Sequence, residues 1–466
     1  MRLLMKFGGT SVGDGERMRR VAEIIANSRQ DGNELAVVIS AMTGVTDQLI
    51  GIAIEVANGV RKPSIDPFIE SVRERHRKAL EAAAPDMVNE VGGILDERLE
   101  SLRNILNAVF NLSELTPRSR DYIISFGERL SAPILSAALR HQGLPSQTLD
   151  GCEAGIVTTS THGDALAVPS CEARIKARVT PLLSVSVPVI MGYMGCTERG
   201  VVTTLGRSGS DYSATIVGAA IGADEIWIWT DVDGVMTSDP RLIKEARVVP
   251  SISYLEAMEL SYFGAKVLHP RSLEPAMRKN IPIRVKNTFN PTHPGTLVHR
   301  EGRVDTRVVK AITLIDKVAL VNVNGVQMIG RPGVAKTIFA ALADKDVNIM
   351  MISQGSSEAN ISLIIEESHL ENALEALSGV NRSGYFRDVT SDRDVVAIAV
   401  VGAGMAGTPG IAGRIFTALG NACVNIMMIS QGSSEANISL VVKTSEALGA
   451  VQILHDEFRL AEAPDE

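Results

Sequence analysis

Short apolar runs alternate with stretches of helical period through most of this chain. Leu3 to Phe7 is an apolar strand ending in Gly8-Gly9-Thr10-Ser11. Glu16 to Ser28 follows with Met18, Val21, Ile24 and Ile25 at helical spacing. Leu35 to Ser40 reads as a second buried strand, with a turn expected over Thr43 to Asp47. A polar, charged helical stretch runs from about Asp66 to Asn111, and Thr116-Pro117 has the form of an N-cap with proline at the first helical position. Val187 to Gly192, Glu225 to Thr230 and Ile281 to Val285 are three more expected strands. Strands alternating with helices predict an α/β fold with a mostly parallel sheet covered on both faces. Ligands of such sheets lie beyond the carboxyl ends of the strands. The glycine, threonine and aspartate clusters of this chain sit there.

The C-terminal third is a tandem repeat. Val347 to Leu363 (VNIMMISQGSSEANISL) recurs without a mismatch at Val424 to Leu440, 77 positions later. The register extends to 29 identities over the 46 pairs from Val318/Val395 to Leu363/Leu440. Polar residues kept in both copies, such as Asn348, Ser353 and Gln354, suggest two related small-ligand sites. Met350, Met351, Met427 and Met428 fit core packing better than a metal or cofactor role. Asn287 to Val304 is rich in proline and glycine and has no clear apolar period. It is expected to end the first domain, giving 1–304, then 305–388 and 389–466 for the two repeats. Ala461 to Glu466 is an acidic tail expected to fray.

Composition narrows the class. A formal net charge of -8 and a pI near 5.6 argue against a nucleic-acid or anionic-membrane binder. Hydrophobic content of 45% with 40 glycines suits a soluble α/β protein. Cys152, Cys171, Cys196 and Cys423 have no metal-ligand spacing and read as small buried hydrophobes in a reducing compartment. The first strand starts almost at Met1, and no apolar run approaches a membrane span, so a cytoplasmic location is expected.

Several segments carry candidate chemistry, each with a plainer alternative. In Lys6-Phe7-Gly8-Gly9-Thr10-Ser11 the glycines let the backbone approach phosphate oxygens, and Lys6 adds a mobile charge. A lone pair of glycines is otherwise a tight turn. Leu205-Gly206-Arg207-Ser208-Gly209-Ser210-Asp211 feeds an apolar helix from Ala214 to Ile221 and reads as an anion-binding loop. Asp211 could equally be a helix cap. Thr230-Asp231-Val232-Asp233-Gly234 follows a strand and could reach a nucleotide or its Mg²⁺, or be an Asx turn. Lys266 and Glu128, taken singly, fit surface or salt-bridge residues. Gly402-Ala-Gly404-Met-Ala-Gly407 satisfies GxGxxG, but its repeat partner Gly325 to Gly330 does not, and no acidic ribose partner follows. No dinucleotide site is expected there.

Taken together, KFGGTS, SAMTGVT, SFGERLS, TTLGRSGSDYSA, WTDVDGV, TSDPR and FGAKVLHP resemble the aspartokinases of the amino-acid kinase superfamily, in that family's order from Lys6 to Pro270. The repeats resemble the family's paired ACT regulatory domains, which have an α+β, ferredoxin-like fold. With no further Rossmann domain before Glu466, the chain resembles the monofunctional enzymes rather than the fusions with homoserine dehydrogenase. The resemblance implies transfer of the ATP γ-phosphoryl group, with Mg²⁺, to the side-chain carboxylate of L-aspartate. It implies that Lys6 contacts the transferring phosphoryl, with Gly8 and Gly9 near the phosphates and Asp211 orienting Lys6. Arg207 would pair with a carboxylate of aspartate and Glu128 with its ammonium, while Thr46 and Ser210 position it. Thr230, Asp231, Arg241 and Lys266 would hold the nucleotide, beside Met236, where the family commonly has tyrosine. Asn348, Gln354, Asn425 and Gln431 would read an amino-acid effector, threonine or lysine. ACT pairing implies a homodimer or larger homo-oligomer. The alternatives are a related kinase with another carboxylate acceptor, or a non-catalytic amino-acid sensor on the same scaffold.

Overall fold

The computed structural model describes residues 1–59, 64–262, 268–300, 308–381, 384–432 and 435–462. The chain divides into two compact units. The first comprises Met1–Val235, Pro250–Tyr254 and Val267–Gly302, and the second Met236–Val249, Leu255–Lys266 and Arg303–Glu466. The expected boundary at 304/305 lies outside the described residues.

The first unit and the segments threaded through it run β1 (Arg2–Phe7), α1 (Gly15–Gln30), β2 (Glu34–Ile39), α2 (Val45–Ala57), α3 (Ile65–Ala83), α4 (Val88–Leu112), α5 (Pro117–Ile124) and α6 (Phe126–His141). They continue with β3 (Ser146–Leu149), α7 (Gly151–Ala154), α8 (Cys171–Val179), β4 (Val187–Met191), β5 (Met194–Cys196), β6 (Val202–Thr204), α9 (Gly209–Ile221) and β7 (Glu225–Thr230). Then come β8 (Ser251–Ser253), α10 (Tyr254–Tyr262), α11 (Pro270–Lys279), β9 (Ile283–Asn287) and β10 (Thr296–His299). Eight strands form one sheet in the order β3-β4-β2-β1-β7-β9-β10-β8, parallel throughout except for the β9–β10 pair. β1 and β2 are buried on both faces, as parallel strands between helical layers must be. Phe7 stacks on Trp229 from the neighbouring strand at 5.7 Å between ring centroids. The main core gathers these rings with Met18, Val21 and Ile25 of α1, Leu99 and Leu106 of α4, and Leu130 and Leu135 of α6.

Side-chain caps fix some of the helix starts. Asp14 caps α1 by accepting from Arg17 N at 2.9 Å, and Thr116 caps α5 by accepting from Ser119 N at 3.1 Å. Three expectations change. Thr43 to Asp47 is not a free turn, because Gly44 (φ +76°) launches α2 at Val45. The long helical stretch from Asp66 to Asn111 breaks at Pro85 into α3 and α4. Asn287 to Val304 contains β10, which pairs with β9 and β8.

The second unit runs β11 (Ala311–Ile315), β12 (Val318–Asn324), α12 (Val334–Ala343), β13 (Ile349–Gln354), β14 (Asn360–Glu366), α13 (Leu370–Asn381) and β15 (Asp388–Asp392). It ends with β16 (Val395–Val401), α14 (Ile411–Asn421), β17 (Met428–Gln431), β18 (Asn437–Lys443) and α15 (Thr444–Glu457). The first copy's sheet is β13-β14-β12-β15 and the second's is β11-β16-β18-β17. β15, at the expected 388/389 boundary, pairs with β12, and β11 pairs with β16 across the whole first copy. Met351 and Met428 are buried, while Met350 and Met427 are half-buried. Gly402 of the GxGxxG segment serves packing, since a Cβ there would fall 2.1 Å from the Val308 carbonyl oxygen. Among the described residues no helix is long and apolar enough to cross a membrane.

Candidate functional site

The carboxyl ends of β1, β2 and β4 and the start of α9 converge on one crevice within the first unit. Strand order reverses beside β1, whose sequence successor β2 lies on one side and β7 on the other, the usual ligand position of an open α/β sheet. Lys6 points to the α9 side and is 8% exposed, forming an ion pair with Asp211. Asp211 sits in the first turn of α9, where the helix dipole favours a carboxylate. It is not the cap, because Ser208 holds that position with a left-handed φ of +54°. Removing either partner would leave a buried charge uncompensated, a cost of about 3–5 kcal/mol.

The glycine turn is held close. Gly8 N donates to Trp229 O at 3.2 Å, and a Cβ on Gly9 would lie 3.0 Å from Ala41 O. Thr43 Oγ1 donates to Gly9 O at 2.8 Å, so the turn after β2 braces the turn after β1. Ser11 Oγ shares a 2.7 Å hydrogen bond with Thr288. The result is a bare backbone surface beside an ammonium group, suited to phosphate oxygens.

Glu128 closes the other wall. It is 3% exposed, and Oε1 accepts from Ala41 N at 3.0 Å, while Oε2 has no hydrogen-bond partner. Burial pushes its pKa up to about 8, against the pull of the Ala41 N–H and the charge of Lys6. A buried carboxyl with one free oxygen is a receptor for a cation. Thr46 is its neighbour, since a Cβ on Gly127 would sit 3.5 Å from Thr46 Oγ1. Ser210 faces Gly192 at the end of β4, 3.0 Å from where a Cβ would be. Arg207 is exposed at the tip of the preceding loop and near enough to His269 to help depress its pKa, after burial. Lys6, Gly8, Gly9, Thr46, Glu128, Ser210 and Asp211 are thus brought together, with Arg207 on the rim.

The expected nucleotide residues are more dispersed. Thr230 ends β7 and its hydroxyl meets Asp231 at 3.2 Å. Asp233 accepts from the side-chain amides of Asn287 and Asn290 at 2.8 and 3.1 Å, a tie between distant segments rather than an Asx turn. Met236 and Arg241 belong to the second unit, where Met236 bridges to Val248 and Arg241 pairs with Asp239 at 2.6 Å. Lys266 lies outside the described residues.

Sequence reading passed over Tyr193 and Asp121, and gave Thr43 and Thr204 no role beyond their place in motifs. Tyr193 directly follows the expected strand ending at Gly192, so the carboxyl-end rule could have found it. It has φ +66°, and burial raises its phenol pKa.

In the second unit, Gln354 closes β13 and lines a cavity of about 360 Å³ with Met328, Gly330, Pro332, Glu358 and Ile361. Glu358 accepts from Gly330 N at 2.8 Å, and Glu435 repeats this with Gly407 N at 2.7 Å. Asn348, Gln354, Asn425 and Gln431 are all exposed.

With this geometry in place, the comparisons with known proteins fall into line. The amino acid kinase family profile matches residues 1–287, and the ACT domain profile matches 321–379 and 398–458. The bifunctional aspartokinase/homoserine dehydrogenase 1 of Arabidopsis thaliana is 36% identical over 98% of this chain. The chain spans about half the length of that relative, 51%. Aspartokinase 1 of the same plant is 34% identical over 98% of this chain and 80% of its own length. The structure of Escherichia coli aspartokinase III with aspartate and ADP has a TM-score of 0.80 at 28% identity, covering 98% of this chain and 99% of that one. The same enzyme has also been seen with lysine and aspartate, at a TM-score of 0.82. The chain therefore belongs to the amino acid kinase family, among the aspartokinases with paired ACT domains.

Proposed function

We propose that this protein is an aspartate kinase, forming 4-phospho-L-aspartate and ADP from L-aspartate and ATP, the first step toward lysine, threonine and methionine. One observation carries the reading: the Lys6–Asp211 pair lies beneath a bare glycine turn, in the same crevice as the unpaired buried Glu128. The acceptor carboxylate is already ionised at neutral pH, its unperturbed pKa being about 3.9, so no general base is needed. An oxygen of that carboxylate attacks the γ-phosphorus as the bond to the ADP oxygen breaks, and no proton moves. What the site must do is hold two anions in line and stabilise the charge on the phosphoryl group in flight. Lys6 supplies that charge, and Asp211 keeps its ammonium aimed. Glu128 receives the acceptor's ammonium, with Thr46 and Ser210 beside it, and Arg207 takes a carboxylate.

Thr230 and Asp231 are assigned to the nucleotide, and Met236, Arg241 and Lys266 are kept as its further contacts. Among the described residues no group of three or more His, Cys, Asp or Glu side chains could hold a metal ion. Mg²⁺ would arrive with ATP, held largely by phosphate oxygens and water, and would offset phosphate charge. The copies around Gln354 and Gln431 are assigned to an aspartate-family amino acid, threonine or lysine. Such a ligand inhibits by preferring a less active arrangement of the kinase unit. A homodimer or larger assembly through the ACT domains and a cytoplasmic location complete the reading.

The deciding assay traps the acyl phosphate with hydroxylamine across a panel of amino acids plus ATP. Hydroxamate formed with an acceptor other than aspartate would replace the substrate. Lys6→Ala should abolish turnover in a folded protein, and turnover persisting would favour a different catalytic group. No hydroxamate at all would favour the sensor.

A further inference from the structure

Asp121 lies on α5, outside every motif that marks the crevice, and is 1% exposed. Its carboxylate accepts from the Gly163 N–H on both oxygens at 3.1 Å and from Thr204 Oγ1 at 2.6 Å. His162 Nδ1 stands 2.6 Å away, and since a carboxylate only accepts, that nitrogen carries the hydrogen. Two separate segments, His162–Gly163 and Thr204, thus converge on one buried charge of α5.

Two arms lead from it to the crevice. Thr204 ends β6, and Leu205-Gly206-Arg207 begins directly after it. The single hydroxyl hydrogen of Thr204 goes to Asp121, and the next residue ties in Tyr193, because Leu205 N donates to Tyr193 O at 2.9 Å. Tyr193 is close enough to feel the charge of Glu128, and its ring lies against Gly209, where a Cβ would come within 2.6 Å of Cδ2. On the second arm, Gly163 is followed by Asp164, which forms an ion pair with Arg271 of α11. A Cβ on Gly206 (φ +74°) would fall 2.5 Å from Asp164 Oδ1, so this carboxylate is pressed against the loop of Arg207.

We propose that Asp121 is a positioning residue for the acceptor: through Thr204 and through Gly163–Asp164 it fixes the loop that carries Arg207 and the ring of Tyr193. The identity of the acceptor rests on the function proposed above; the positioning role does not. None of these hydrogen bonds reaches the glycine turn after β1 or the end of β7. The effect should therefore fall on one substrate.

The test compares Asp121→Asn, Thr204→Val and Thr204→Ser. Asparagine keeps the shape but must turn an NH₂ toward donors at His162 or Gly163. The acceptor KM should rise about tenfold or more in Asp121→Asn and Thr204→Val, the scale of one lost hydrogen bond to a charge. The KM for ATP should stay near wild type, and Thr204→Ser should restore the acceptor KM. An unmoved acceptor KM in Thr204→Val, or equal changes in both KM values, would overturn the proposal. If Asp121→Asn does not fold, Thr204→Val decides, because it leaves the carboxylate and its other donors in place. If the wild-type chain yields no hydroxamate, the proposed activity fails; amino-acid binding by calorimetry across the same variants then makes the same comparison, with Kd in place of KM.

Discussion

Identical sequence does not give identical surroundings in the two ACT copies. The segments Val347 to Leu363 and Val424 to Leu440 match residue for residue, yet β13 runs for six residues and β17 for four. Ser362 donates to Asn322 across the β12–β14 ladder, whereas the matching Ser439 donates to Asn437, because Ala399 stands where Asn322 does. Asn437 then donates to Glu259 of α10 at 3.0 Å, and Glu256 takes the N–H of Ala403 at 2.7 Å. Glutamates thus hold Asn437 and the Ala403 N–H of the second copy, while Asn360 of the first is exposed; Gln354, which lines an open cavity, and Gln431 are both exposed. The same segment thus packs differently in the two copies. The first copy is predicted to be the freer of the two to take an effector. Both differ from the kinase crevice, which works with buried charge.

That last contrast predicts the largest effect. Glu128 has its pKa raised to about 8, so below that pH an incoming ammonium must displace a proton. The acceptor KM should fall as pH rises from about 6 to about 8, at most about tenfold per unit. Effector binding read by amides, which do not titrate, should follow no such slope; parallel pH profiles for both would erase the distinction. Folding runs the other way. The folded state holds a proton that the unfolded carboxyl, with its ordinary pKa of 4.5, has released, so this group's contribution to stability declines from there up to about pH 8.

Within the repeats, Gln354→Ala should raise the effector concentration for half-inhibition about tenfold, and Gln431→Ala by less than about threefold. Inhibition curves with lysine and with threonine measure both. Equal losses would make the copies equivalent, and no loss in either would remove the effector assignment. Glu259→Ala deprives Asn437 of its acceptor and should cost about 1–2 kcal/mol, lowering Tm by a few degrees. A smaller loss, about 0.5–1.5 kcal/mol in denaturant melts, is expected for Asn322→Ala, because Ser362 is half-buried and can turn to water.

How much was legible follows from how local each signal is. β1, its glycine turn, the Thr116 cap and the 77-residue repeat declare themselves within a few residues, and each appears where the sequence places it. β10 was hidden by the prolines and glycines around it, and its pairing with the nearby β9 and the distant β8 makes it a strand. Glu128 was visible as a carboxylate on an apolar helix, but its unpaired oxygen depends on burial that no local pattern reports. Asp121 was invisible because its partner Thr204 is 83 residues away.

The chain also lends a piece of its kinase-family region to the regulatory half. Ile243 of the Met236–Val249 excursion is wholly buried among Ile312, Val400 and Leu454, and Thr237 O receives Ile312 N at 2.8 Å. No single codon therefore divides the gene into two self-sufficient products. A fragment stopping near residue 300 would bare Ile243 and forfeit the strand edge that Thr237 engages, so a soluble minimal kinase would need that excursion redesigned rather than merely trimmed.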